Sequence, residues 1–137
     1  MYSTIAVPVD LAHTDKLHKA LTTAADLAKH YHASIYLVAV TSSAPGEVAH
    51  NPDEFSQKLL QFADAQTAAL GVEFKTSDAV TPDPAIDLTK VLDQQIHEIG
   101  ADLIVMASHV PGFREYVFAS NSGYLSSHTD LSIFVVR

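Results

Sequence analysis

Thr4-Ile5-Ala6-Val7-Pro8-Val9 is a short run that is apolar at every position after the first. A strand with one face in water alternates apolar and polar residues. A run apolar at successive positions is instead covered on both faces, as in the centre of a parallel sheet with helices packed on each side. Pro8 has no N–H to give to a ladder, so it belongs at the end of this strand.

Working outward, Thr14 to Tyr31 reads as a helix, with Thr14 as cap and Leu17, Leu21, Ala24, Leu27, Ala28 and Tyr31 on one stripe. Ser34 to Val40 is a second strand. Thr41 to His50 is a loop around the turn signal Pro45-Gly46. Asn51-Pro52-Asp53-Glu54 has the form of a helix start, with Asn51 as cap and Glu54 three residues on. Phe55, Leu59, Phe62, Ala63, Ala69 and Leu70 keep the helical period up to Gly71. Val72 to Val80 follows as a third strand. Asp83-Pro84 opens a third helix with Leu88, Val91, Leu92, Ile96 and Ile99 inward, ending at Gly100. Leu103 to Ala107 is a fourth strand, 108 to 119 a loop or short helix, 120 to 128 a helix, and Ile133 to Val136 a fifth strand. Strands alternating with helices predict a single-domain α/β fold over residues 1–137, an open parallel sheet with right-handed crossovers.

Composition narrows the function classes. There are 137 residues, enough for one domain. Cysteine is absent, which excludes disulfides, thiolate metal sites and a cysteine nucleophile, and suits a reducing cytoplasm. The formal charge is −8, with no offsetting Lys/Arg run, so neither nucleic acid nor an anionic membrane is an expected partner. The longest apolar run is Ile35 to Val40, far short of the roughly 20 residues of a spanning helix. The start of the chain lacks the basic-then-apolar pattern of a secretory leader, and a cytoplasmic location is expected.

Ligands of open parallel sheets lie beyond the carboxyl ends of the strands, where the strand order reverses. After the first strand stands Pro8-Val9-Asp10. Asp10 can accept a sugar hydroxyl or hold a metal, or it can organise the turn into the first helix. After the fourth strand come Met106, Ala107, Ser108, His109 and Val110. Then Ala119-Ser120-Asn121 falls at the predicted start of the last helix, where free N–H groups suit a phosphate and equally suit a simple cap. Periodicity does not separate these two roles.

Three segments carry a resemblance: Ile5 to Asp10, Ala101 to His109, and Ser132 to Arg137. Together, in this order, they resemble the universal stress protein family over essentially the whole chain. The resemblance implies strand order 3-2-1-4-5 and homodimers. One branch of that family binds ATP through a Gly-x2-Gly-x9-Gly-Ser/Thr loop; another binds none. Here Ala107 and Val110 stand at the first two glycines, and the third falls on Ala119 if one loop residue is missing or on Ser120 if none is, Ala119 being preferred. Ala119-Ser120-Asn121 then resembles the Gly-Ser-Asn of the filament-type, nucleotide-binding subgroup, which also carries Ala-Ser-His after strand four. Alanine at a position needing positive φ costs roughly 1 kcal/mol. The implied site has adenine near Val40, Met106 and Ala107, ribose near Asp10, phosphates at Ala119, Ser120 and Asn121, and added positive charge from His109 or Arg114.

Other chemistries find less. Eight histidines are scattered without a metal-ligand spacing. There is no Gly-x-Ser-x-Gly elbow and no Walker loop with its Lys. The resemblance therefore implies an adenine-nucleotide binder, with ATP as ligand and magnesium as its companion, in stress response or signalling. Two alternatives stay open: a nucleotide-free dimer acting through protein partners, and a slow ATP hydrolase with Asp10 on magnesium. Ile133-Phe134-Val135-Val136, an apolar edge, is the expected homodimer contact.

Overall fold

A computed structural model of the chain describes residues 1–110 and 131–137. The element order is β1 (Thr4–Pro8), a 3₁₀ helix (Leu11–Lys16), α1 (His18–Tyr31), β2 (Ser34–Ser42), α2 (Pro52–Leu70), β3 (Phe74–Thr81), α3 (Pro84–Glu98), β4 (Leu103–Ala107) and β5 (Ser132–Val136). All four strand pairings are parallel, and the order is β3-β2-β1-β4-β5. The helix expected over 120 to 128 lies outside the described residues.

The pleat explains the two-sided burial of β1. Ile5 and Val7 face one way, with Ile35, Leu37, Val105 and the apolar faces of α1 and α2. Ala6 faces the other way, with Val38, Ile104, Met106 and the α3 residues Leu92 and Ile96. Helices thus cover both faces. Pro8 is the last residue of β1 opposite Val38, and the ladder resumes one residue later, where the Val9 N–H donates to the Val38 carbonyl at 2.9 Å.

The capping of α2 follows the sequence. The Asn51 side chain accepts from the Glu54 N–H at 2.8 Å, and Gly71 closes the helix at φ 75°. The first helix differs. Thr14 does not cap it. The chain leaves Asp10 as a 3₁₀ turn, and α1 starts at His18 after Leu17, whose own side chain makes no cap bond. Asp10 competes for this segment by drawing in the Ala12 N–H, and burial of Leu17 fixes where α1 begins. β2 runs two residues beyond Val40, because Thr41 and Ser42 pair with Val80 and Thr81.

Candidate functional site

β1 leads to β2 and β3 on one side, while β4 and β5 lie on the other, so the strand order reverses beside β1. A cavity of about 280 Å³ opens at the carboxyl ends of β1 and β2. Its walls come from both faces of the sheet. Pro8, Val9, Asp10 and Leu11 follow β1, and Val38 to Ser42 form the end of β2. The loop residues Ala44 and Gly46 to Ala49 cover it, with Phe55 from α2, Pro84, Leu88 and Leu92 from α3, and Val110 after β4. Most of these side chains are apolar, as in small-molecule sites, where a few polar groups set orientation.

Asp10 is the charged residue closest in sequence to the end of β1, and both its oxygens are engaged locally. One accepts from the Ala12 N–H at 3.0 Å and the other lies 2.8 Å from His13 Nδ1. The turn-organising role is therefore real, and Asp10 nonetheless lines the cavity. An ionised carboxylate offers about four acceptor positions, so these two bonds leave acceptor capacity for a ligand hydroxyl.

Of the residues marked from sequence, Pro8, Val9, Asp10, Val40 and Val110 share this cavity. Met106 and Ala107 do not line it. Met106 is fully buried against α3 beneath the sheet, and Ala107 packs in the cluster under α1, so both side chains belong to the core. His109 is exposed and is not part of the lining. Ala119, Ser120, Asn121 and Arg114 lie outside the described residues. Ala107 and Val110, which stand at glycine positions of the family loop, are not at positive φ; among the described non-glycine residues that conformation occurs at His32. The strain foreseen for alanine at a glycine position is thus not incurred at 107 or 110. The Val110 N–H closes a turn onto the Ala107 carbonyl at 3.2 Å, and the Ser108 N–H donates to Val136 at 2.9 Å.

Sequence reasoning did not find the α3 contribution or the covering loop. Pro84 and Leu88 reach the cavity because α3 packs across β2 and β3. Gln95 was also missed. It is buried on the inner side of α3, and its Nε2 donates to the carbonyls of Ala39 and Ser77, each at 3.1 Å. This clamp ties α3 to β2 one residue before Val40. The signal was a polar residue one position before Ile96 on an otherwise apolar stripe.

The electrostatics of the described lining are acidic. Asp10 and Glu47 are its charged members. A second, more open hollow of about 610 Å³ shares Leu11, Glu47 and Val48 with the first and adds Lys58, which pairs with Glu54 at 3.3 Å. The Glu54 carboxyl is held below its usual range by the His50 N–H first and by Lys58 second. The arrangement suits a flat apolar ring between β2, α3 and the loop, with a hydroxyl directed at Asp10.

A doubly wound parallel sheet with helices on both faces and a cavity beyond its strand ends defines an open α/β architecture as a class. The profile of the universal stress protein family matches residues 1–137, and the chain belongs to that family. Among solved structures, a universal stress family protein from Burkholderia pseudomallei is 26% identical, with TM-score 0.63, covering 98% of this chain and 96% of that one. A universal stress protein from Archaeoglobus fulgidus in complex with dAMP is 21% identical, with TM-score 0.63 and coverage of 99% and 98%. An Arabidopsis thaliana family protein with AMP bound is 15% identical, with TM-score 0.59 and coverage of 98% and 90%. No curated protein sequence matches the chain.

Proposed function

We propose that this protein binds an adenine nucleotide at the carboxyl ends of β1 and β2. The observation that carries the reading is the apolar cavity beyond the carboxyl ends of β1 and β2 with Asp10 on its wall. The bound dAMP and AMP of two structural neighbours support it. In this reading the base lies against Val40 and the α3 side chains, and the ribose meets Asp10. The phosphates go to Ala119, Ser120 and Asn121 with magnesium as counterion, and ATP is the ligand. The role is in cytoplasmic stress response or signalling. The protein works as a homodimer through β5, where Phe134 is 45% exposed on an edge strand. Val136, by contrast, is buried in the core, so Phe134→Lys is the substitution that tests the dimer by light scattering.

The acidic lining formed by Asp10 and Glu47 favours one second reading, a nucleotide-free protein that acts through partners. Calorimetric titration with AMP and with ATP plus magnesium separates the two. Binding that weakens about ten- to a hundredfold in Asp10→Ala supports the nucleotide reading, since a hydroxyl bonded to a carboxylate is worth about 1.5–3 kcal/mol. Failure of both nucleotides to bind at millimolar concentration leaves the partner reading.

A further inference from the structure

Between Asp10 and α1 the chain makes a short 3₁₀ helix with one residue out of line. His13 sits at φ −138°, ψ 49°, well away from helical values. Its ring lies back against the residue that starts the helix. His13 Nδ1 lies 2.8 Å from one Asp10 oxygen, while the Ala12 N–H holds the other at 3.0 Å. The His13 N–H also donates to the Asp10 carbonyl at 3.1 Å, so backbone and side chain close on the same residue.

The terminal torsion of an aspartate is soft and roughly two-fold. One bond from Ala12 fixes one oxygen and leaves the carboxylate free to rock about it. A second donor on the other oxygen fixes the plane. With one lone pair of each oxygen occupied, about two acceptor positions remain, one per oxygen. Two vicinal hydroxyls in cis, as on a ribose, present two donors at matching separation. We propose that His13 is a positioning residue which locks the Asp10 carboxylate so that both remaining acceptors face the cis-diol of a ribose in the cavity. The proposal rests on the reading of Asp10 as the ribose acceptor and adds what orients it. For the imidazole to donate through Nδ1 while neutral, its proton must sit there and not on Nε2.

Two measurements test this. The first needs no ligand. Nitrogen-15 spectra of the protein at about pH 8, where an ordinary imidazole is neutral, should show His13 as the Nδ1–H tautomer. The signal should move to the Nε2–H form in Asp10→Asn. An Nε2–H ring in the parent protein, or one indifferent to Asp10→Asn, overturns the proposal. The second measurement compares AMP with 2′-deoxy-AMP. The parent should prefer AMP by about tenfold, one hydroxyl-to-carboxylate bond. His13→Ala should cut that preference to about threefold or less with 2′-deoxy-AMP binding nearly unchanged, because a freed carboxylate must be ordered again on binding. His13→Asn, whose amide N–H takes the place of Nδ1–H, should restore it. A preference that survives His13→Ala but is lost in Asp10→Asn overturns the role of His13 and leaves the ribose contact standing. A preference that survives Asp10→Asn removes the ribose contact and this proposal with it.

Discussion

Two aspartates flank β1, one at each end, and they do different work. Asp102 lies just before β4, at the end where the strands begin. Its carboxylate accepts from the Ser3 and Thr4 N–H groups at 3.0 Å and from the Ser3 hydroxyl at 3.0 Å. The Asp102 N–H in turn donates to the Thr4 carbonyl, and the Ser132 N–H to the Asp102 carbonyl, so β1, β4 and β5 are tied at one point. Tyr2 adds a hydroxyl bond to Ser132 at 2.8 Å. Asp10, at the other end, accepts one backbone N–H and meets one imidazole, and it faces a cavity. The difference lies in the geometry of parallel strands. Their beginnings offer free N–H groups that a carboxylate can absorb completely. Beyond their carboxyl ends the chain must turn, and the acceptor there keeps room for a ligand.

If one end is closed and the other open, equal deletions should cost unequal amounts. Ile5 is fully buried in β1 between Ile35 and Leu103. Ile5→Ala should lower stability by about 2–5 kcal/mol, the range for large-to-small changes in a packed core. Leu88 is half-buried on the cavity wall. Leu88→Ala should cost only about 1 kcal/mol, because few methylenes there are fully removed from water. Urea melts that gave the two variants equal midpoints would break the contrast.

The aspartates themselves sharpen it. Asp102→Ala should destabilise by about 1–3 kcal/mol, by stranding donors partly open to water, and should leave nucleotide affinity unchanged. Asp10→Ala should do the reverse, changing stability by under about 1 kcal/mol, near the worth of a cap, while weakening AMP binding. Thermal melts and calorimetry on both variants give four numbers. An affinity loss in the Asp102 variant at preserved fold would sink the separation of roles.

How far the sequence could be read follows the same division. The sheet was legible because β1, β2 and β4 are apolar on both faces and the turns carry their signals at Asn51-Pro52, Gly71 and Gly100. The carboxyl ends of β1 and β2 were legible as a place, and Pro8, Val9, Asp10 and Val40 do meet there. What sequence could not supply was facing. Met106 sits on a strand whose length was read correctly, yet whether it faced a ligand or α3 depended on where α3 crosses. Gln95 was skipped because polarity argues against burial unless two carbonyls are known to wait beneath it. The helix start was misread because Thr14 and Asp10 both have the chemistry of a cap, and local sequence does not decide that Asp10 captures the backbone first.

The smallest expected effect concerns acid. Burial raises the Asp102 pKa, but the N–H groups of Ser3 and Thr4 and the Ser3 hydroxyl outweigh it and hold the carboxyl below its ordinary range. A carboxylate whose folded pKa is depressed stabilises the fold above its unfolded pKa of about 3.9, and loses that contribution as pH falls through the folded value. Asp102→Asn keeps the shape and removes the charge. The parent should therefore exceed this variant by about 1 kcal/mol at neutral pH, at the low end for charged hydrogen bonds because solvent reaches the site. The gap should hold down to about pH 5, narrow below about pH 4 and close once Asp102 is protonated. Melts of the two proteins at matched ionic strength would trace it. A gap that stayed constant into acid would mean that the variant suffers from an amide donor standing where an oxygen accepted from Ser3 or Thr4, and the closed end of the sheet would then owe nothing to its charge.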